Sequence, residues 1–170
     1  MKKATFEKML AKRPGLVCIT GMRFPDWLND IEADRPLFYL PERGLNISNQ
    51  AAVVSTIEKE RSNAIIVTQS AFIVSDFPRT QVFFLKGHSA KHPDFETFGA
   101  SANKINMCLF GRALTIGDRA AAALEKMKRR LEKGEDPTTI INETVKTFGD
   151  SVESTLFLNV AMDKEKEIKH

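Results

Sequence analysis

Four short stretches of this chain are apolar without alternation: Leu16-Val17-Cys18-Ile19, Leu37-Phe38-Tyr39-Leu40, Ala64-Ile65-Ile66-Val67 and Val82-Phe83-Phe84-Leu85. Each is too short for a helix of ordinary length and is bounded by Pro, Gly or polar residues, so each reads as a strand. A strand with no polar face must be covered on both sides. Strand, helix and strand in succession with such runs imply a parallel sheet flanked by helices, an α/β fold. The run 16–19 in particular demands an interior place.

The remaining pattern supplies the helices. Residues 3–12 carry Phe6, Met9 and Leu10 on one side and stop at Pro14-Gly15. A short helix is expected over 25–32, and a longer one over 48–61, capped by Ser48 or Asn49 and facing inward with Ala52, Val53 and Ile57. Asp76-Phe77-Pro78 reads as a turn and 87–102 as loop. Ala120, Leu124, Met127 and Leu131 predict a helix over 117–134. Asp136-Pro137 opens the next helix, to about Phe148-Gly149. A last helix over 150–162 precedes a charged, flexible tail, 163–170. One domain over 1–162 is expected, with its sheet core in 16–86 and a helical part in 103–162.

Composition narrows the classes. In 170 residues, 42% are hydrophobic and 28% charged, ordinary for a globular chain with a sizeable core. No apolar run reaches membrane-spanning length, and the amino-terminal segment reads as an amphipathic helix, which points to a cytoplasmic protein. Cys18 and Cys108 lack metal-ligand spacing and are expected to be buried free thiols. The net charge is only +3. A basic run, Lys126, Lys128, Arg129, Arg130 and Lys133, is interrupted by Glu125 and Glu132; it is a solvated helix face or a nucleic-acid contact. His88 and His92, with Asp94 beside them, are the residues a metal site or an unrelated enzyme pocket would use, but spacing points to no third ligand. No phosphate-loop or nucleophile-elbow motif occurs, and no cofactor is expected.

Two stretches carry a more specific signal. Leu37-Phe38-Tyr39-Leu40-Pro41-Glu42-Arg43-Gly44-Leu45-Asn46-Ile47, a helix, and then Asn63-Ala64-Ile65-Ile66-Val67-Thr68-Gln69-Ser70-Ala71-Phe72-Ile73-Val74-Ser75-Asp76 resemble the carboxyl half of ABC-type ATPases of the SMC, RecF and anti-phage families. That family has a hydrophobic strand, Asp-Glu-Pro-Glu, Gly-Leu-His-Pro, a helix, and a strand ending Thr-Thr-His-Ser-Pro-Phe before Ser-Asp. Pro41, Glu42, Gly44, Leu45, Thr68, Ser70, Phe72, Ser75 and Asp76 match. Glu96-Thr97-Phe98-Gly99-Ala100-Ser101, Ile116-Gly117 and Gly149-Asp150 extend the likeness over roughly 36–162.

The departures fall on the chemistry. Tyr39 and Leu40 stand where the resemblance calls for the magnesium-site aspartate and the catalytic glutamate. Gln69 replaces the histidine that senses the γ-phosphate, and Asn46 the histidine of the interface loop. An amide donates a hydrogen bond but does not titrate near neutral pH. A site without its two acids cannot organise magnesium or activate water. The resemblance therefore implies a P-loop ATPase-like remnant that is not an enzyme. It implies an accessory, regulatory or decoy subunit docking on an intact ABC-type ATPase or on a second copy of itself, in phage defence or counter-defence. The implied contact face is Glu42, Arg43, Gly44, Asn46, Gln69, Ser70, Phe72 and Asp76.

In the family's arrangement the phosphate-loop strand lies between the strands at 64 and 81. Here that place is filled by 16–19, by a rearranged chain, or by another protein, the first being favoured. By the resemblance, either Thr20-Gly21 is a remnant of the Ser-Gly-Gly-Glu signature or Leu16 to Gly21 is what remains of the phosphate-loop strand. The rival to the docking reading is a nucleic-acid-binding protein using the basic helix.

Overall fold

The computed structural model describes residues 2–31, 35–87 and 89–169. His88 and His170, and with His88 part of the metal reading, lie outside them. The described residues divide into two compact units, Met1–Arg112 and Ala113–His170.

The first unit is a five-stranded sheet with helices on both faces. In chain order its elements are α1 (Lys3–Leu10), β1 (Val17–Gly21), a 3₁₀ turn (Asp26–Asp30), β2 (Leu37–Tyr39), α2 (Ile47–Ala51), α3 (Val53–Glu60), β3 (Ile65–Thr68), α4 (Ala71–Val74), β4 (Val82–Lys86), β5 (Ser89–Lys91) and α5 (Ala102–Phe110). The strand order is β2-β3-β1-β4-β5. β1 pairs in parallel with β3 (Val17 opposite Ile65, Thr20 opposite Thr68) and with β4 (Cys18 opposite Val82, Gly21 opposite Leu85). The apolar run at 16–19 thus occupies the gap between the strands at 64 and 81, as favoured.

Alternation of side chains across the pleat explains why β1 and β3 read as unbroken apolar runs. Cys18, Ile66 and Val82 face a cluster with Val54 and Ile57 of α3, Ile73 of α4 and Ile105 of α5. Val17, Ile19, Ile65, Val67 and Phe83 face the opposite cluster, with Phe6 and Leu10 of α1 and Leu28. Each fully buried aliphatic side chain contributes about 1.5–3 kcal/mol at most. Gly21 has a packing reason: a Cβ there would lie 2.7 Å from the Leu85 carbonyl oxygen.

Several local expectations are corrected. The sheet is not wholly parallel, because β5 runs antiparallel to β4 inside the segment read as loop. Phe72-Ile73-Val74, which follows the strand expected at 64, forms part of α4, its first turn capped by Ser70. The helix over 48–61 is two, broken at Ala52, and Asn46 rather than Ser48 or Asn49 caps the first, accepting from the Asn49 N–H. Of the helix expected over 25–32, the described residues form the 3₁₀ turn Asp26–Asp30, and Glu32 lies outside them. Cys108 is exposed on α5, whereas Cys18 is buried.

The second unit holds α6 (Asp118–Glu132), α7 (Pro137–Thr147) and α8 (Val152–Lys169). Asp136 caps α7, accepting from the Thr139 N–H, with Pro137 in the first turn, as the sequence predicts. Leu124, Met127 and Leu131 of α6 meet Ile140 of α7 and Phe157 and Ala161 of α8. α8 does not end near Met162 but runs to Lys169. Asp163 and Lys166 pair at 3.0 Å within the added turns, and Glu165 accepts from the Thr138 hydroxyl of α7 at 2.6 Å.

Candidate functional site

The carboxyl ends of parallel strands are where an open α/β sheet places its ligands and contacts. β2 is followed by Leu40, whose φ of 48° is the left-handed conformation that residues other than glycine rarely adopt. Its N–H donates to the Val67 carbonyl at 2.7 Å, and two successive turns follow, from Arg43 N–H to Leu40 O and from Leu45 N–H to Glu42 O. Gly44, at φ 78°, permits the second of these. This double turn folds Glu42 back over the sheet edge, where its Oε1 accepts the Gln69 N–H at 2.8 Å.

Gln69 continues the chain of contacts. Its Nε2 donates to the carbonyls of Gly21 at 3.2 Å and Met22 at 3.3 Å, so it bridges the ends of β3 and β1. Ser70 takes the other direction: its N–H donates to Thr68 Oγ1, and its hydroxyl donates to Gln50 Oε1 at 2.9 Å. Gln50 in turn donates to the Leu45 carbonyl at 3.0 Å. Glu42 and the neighbouring pair Gln69-Ser70 are thus brought together with Gly21 and Gln50. Beside them Met22, Leu45 and Ile47 stand exposed, Ile47 to 62%.

Two atoms are left over. Thr20 Oγ1 and Glu42 Oε2 are buried without a hydrogen-bond partner. Glu42 also lies close enough to Cys18 that, after burial itself, its charge is the second cause pushing the Cys18 thiol far above its ordinary range. Tyr39 packs edge-on against Phe24, and Leu40 is buried. Beyond β1 the chain passes through Pro25 into the 3₁₀ turn, with no α-helix N-terminus there to receive a phosphate.

The other expected contact residues are dispersed around this core. Arg43 and Gly44 are exposed, with nothing within 4 Å of a Cβ built on Gly44. Asn46 is spent on capping α2. Phe72 and Asp76 are half-buried on α4 and the turn after it, and burial raises the Asp76 carboxyl above its usual range. The Glu96–Ser101 stretch is structural. Glu96 Oε1 accepts from the N–H groups of Arg79, Thr97 and Phe98, which hold its carboxyl below the ordinary value. Thr97 donates to the Phe77 carbonyl at 2.6 Å, and Ser101 caps α5.

The basic helix is only partly available. Arg130 is ion-paired to Glu135 and Glu143, the latter at 2.8 Å. Lys126, Arg129 and Lys133 are exposed on one side of α6, whereas Lys128 lies on the opposite flank of its buried stripe. His92 stacks on Phe83 with ring centroids 4.6 Å apart, and its Nδ1 lies 2.7 Å from the Val82 carbonyl. Asp94 is exposed beside it. Among the described residues no three His, Cys, Asp or Glu side chains gather as a metal site.

Sequence reasoning missed Gln50, Met22 and Ile47. Gln50 and Ile47 flank the Asn46 cap within a polar stretch, and only the fold brings Met22 to Gln69. Among the described residues no helix is long and apolar enough to cross a membrane. No protein-family model matches the chain, and no curated protein matches it.

Proposed function

We propose that this chain is a catalytically inactive, ATPase-like accessory or decoy subunit that docks on an intact ABC-type ATPase through the carboxyl edge of its sheet. The observation that carries the reading is the joining of Glu42, Gln69 and Gly21 at one edge, with Tyr39 and Leu40 in place of acids. A polar frame closed by its own hydrogen bonds holds the loops still, and the exposed Met22, Leu45 and Ile47 give the surface an apolar contact. The place of β1 between β3 and β4 agrees with the order the resemblance implies. Partners of this kind fit a role in phage defence or counter-defence, in the cytoplasm.

The test is to recover the tagged full-length chain from its native cells and determine the mass of what accompanies it. A stoichiometric ABC-type ATPase is expected. Ile47→Asp should weaken that complex at least about tenfold while leaving the fold intact, since the side chain is exposed. Gly44 is the wrong position to probe, because any side chain at its φ strains the turn. Absence of an ATPase, or a complex indifferent to Ile47→Asp, overturns the reading.

A second reading has one observation in its favour: Lys126, Arg129 and Lys133 share an exposed side of α6 with Arg119. A nucleic-acid role there predicts affinity that falls steeply with salt and with charge reversal at these positions. Arg130, held by two glutamates, would contribute little to it.

A further inference from the structure

The carboxyl edge of the sheet also carries a row of cations. Arg43 stands in the double turn after β2, Arg23 just past β1, and Lys86 at the last position of β4; all three are exposed. The fold sets them side by side. Met22 and Glu42, the residues before Arg23 and Arg43, both bond to Gln69, and Gly21 lies opposite Leu85, the residue before Lys86. None of the three cationic groups makes an ion pair or hydrogen bond among the described residues.

The acids of the same loops do not offset them. Glu42 is turned inward, its Oε1 on the Gln69 N–H and its Oε2 buried. Asp76 is half-buried after α4, and Asp26 lies beyond Pro25 in the 3₁₀ turn. Beside the cations are Met22, Leu45 and Ile47, exposed to 61%, 36% and 62%. The hydrogen-bonded frame around Gln69 holds both sets of side chains on fixed backbone, so little order remains to be imposed on binding.

We infer that this edge takes an acidic, aliphatic segment of a partner protein. Its carboxylates meet Arg23, Arg43 and Lys86 while its apolar side chains cover Met22, Leu45 and Ile47. Nucleic acid would use the same cations, but aliphatic side chains offer nothing to a phosphate backbone. The aromatic rings here, Phe24 and Tyr39, pack on each other rather than standing out to stack on a base. The inference rests on the docking reading for the place of contact and adds the chemistry of what docks.

The test is to select a displayed random-peptide library on the purified full-length chain and to measure the affinity of the commonest peptides recovered. Enrichment of Asp and Glu together with Leu, Ile, Val or Met is expected, with affinity falling as salt rises. Arg23→Glu and Arg43→Glu should each weaken binding about fivefold, and the double variant at least about tenfold, with unchanged circular dichroism. Arg61→Glu, the same charge change at the amino end of β3, should leave affinity as it was. No enriched peptide, a pool without acids, or binding indifferent to Arg23 and Arg43 overturns the inference, as does a single-stranded oligonucleotide that binds more tightly and displaces the peptides. An ABC-type ATPase that binds the double variant as well as the unaltered chain would keep the docking reading and overturn this one. Acidic peptides lost in the double variant, with no ATPase recovered from cells, would do the reverse.

Discussion

The two ends of the sheet are built on opposite terms. At the amino end, Arg35 is buried and spends its guanidinium on the carbonyls of Leu10, Arg13 and Gly15 and on Asn63 Oδ1, tying α1 to the starts of β1 and β3. Glu96 caps the turn before β4, and His92 is bound to its first residue, Val82. At the carboxyl end a leucine sits at positive φ, two buried polar atoms lack partners, and large apolar side chains face solvent. Stability is concentrated where every group is satisfied, and binding surfaces are expected where local rules are broken.

The largest test of that contrast is Arg35→Met. It removes every guanidinium bond and leaves the Arg13 and Gly15 carbonyls without that donor, while the Leu10 carbonyl keeps the Arg13 N–H, and should cost about 3 kcal/mol or more in urea unfolding. A loss under about 1 kcal/mol would mean that the amino end is no clamp, and the contrast would collapse. At the other end, Leu40→Ala should lose about 2 kcal/mol of burial while keeping the strain. Leu40→Gly loses the same burial but relieves about 1 kcal/mol of left-handed strain. Glycine, ordinarily the worse of the two, should therefore equal or exceed alanine here; the usual order in thermal melts would refute the strain.

The smallest effects concern acid. Glu96 has a lowered carboxyl because backbone N–H groups, first that of Phe98, favour its charged form. Its contribution is present above the unfolded glutamate value and fades as pH falls through the lower, folded one. Glu96→Gln should flatten that acid-side loss in melts taken from neutral pH to below 4.5, the ordinary value. Asp76, raised by burial, has the opposite sign: its penalty grows as pH rises through the folded value. Asp76→Asn should thus leave neutral-pH stability unchanged or slightly improved, and a clear loss there would assign Asp76 a partner.

The same division governs what could be read from sequence. β1, β3 and β4 were legible because burial on both faces writes itself as an unbroken apolar run. β5 was not: Ser89-Ala90-Lys91 pairs through its backbone along the outer edge of β4, and edge pairing leaves no apolar signature. Glu42, Gln69 and Ser70 could be picked out because they follow strands at positions the resemblance marks. Gln50 and Met22 could not, since the crossing that brings α2 and the end of β1 to them is tertiary. Arg35 gave no local sign of its burial, its partners lying more than twenty residues off in Leu10, Arg13 and Asn63.

The two cysteines turn the central strand into a clock. Cys108 is exposed, while Cys18 lies fully buried in β1 with its thiol pushed toward the unreactive, protonated form. An alkylating reagent should therefore mark Cys108 at once and Cys18 only when the middle of the sheet opens. The ratio of doubly to singly labelled chains over time then measures how often that opening occurs in the unaltered protein. A partner seated on the carboxyl edge should slow it.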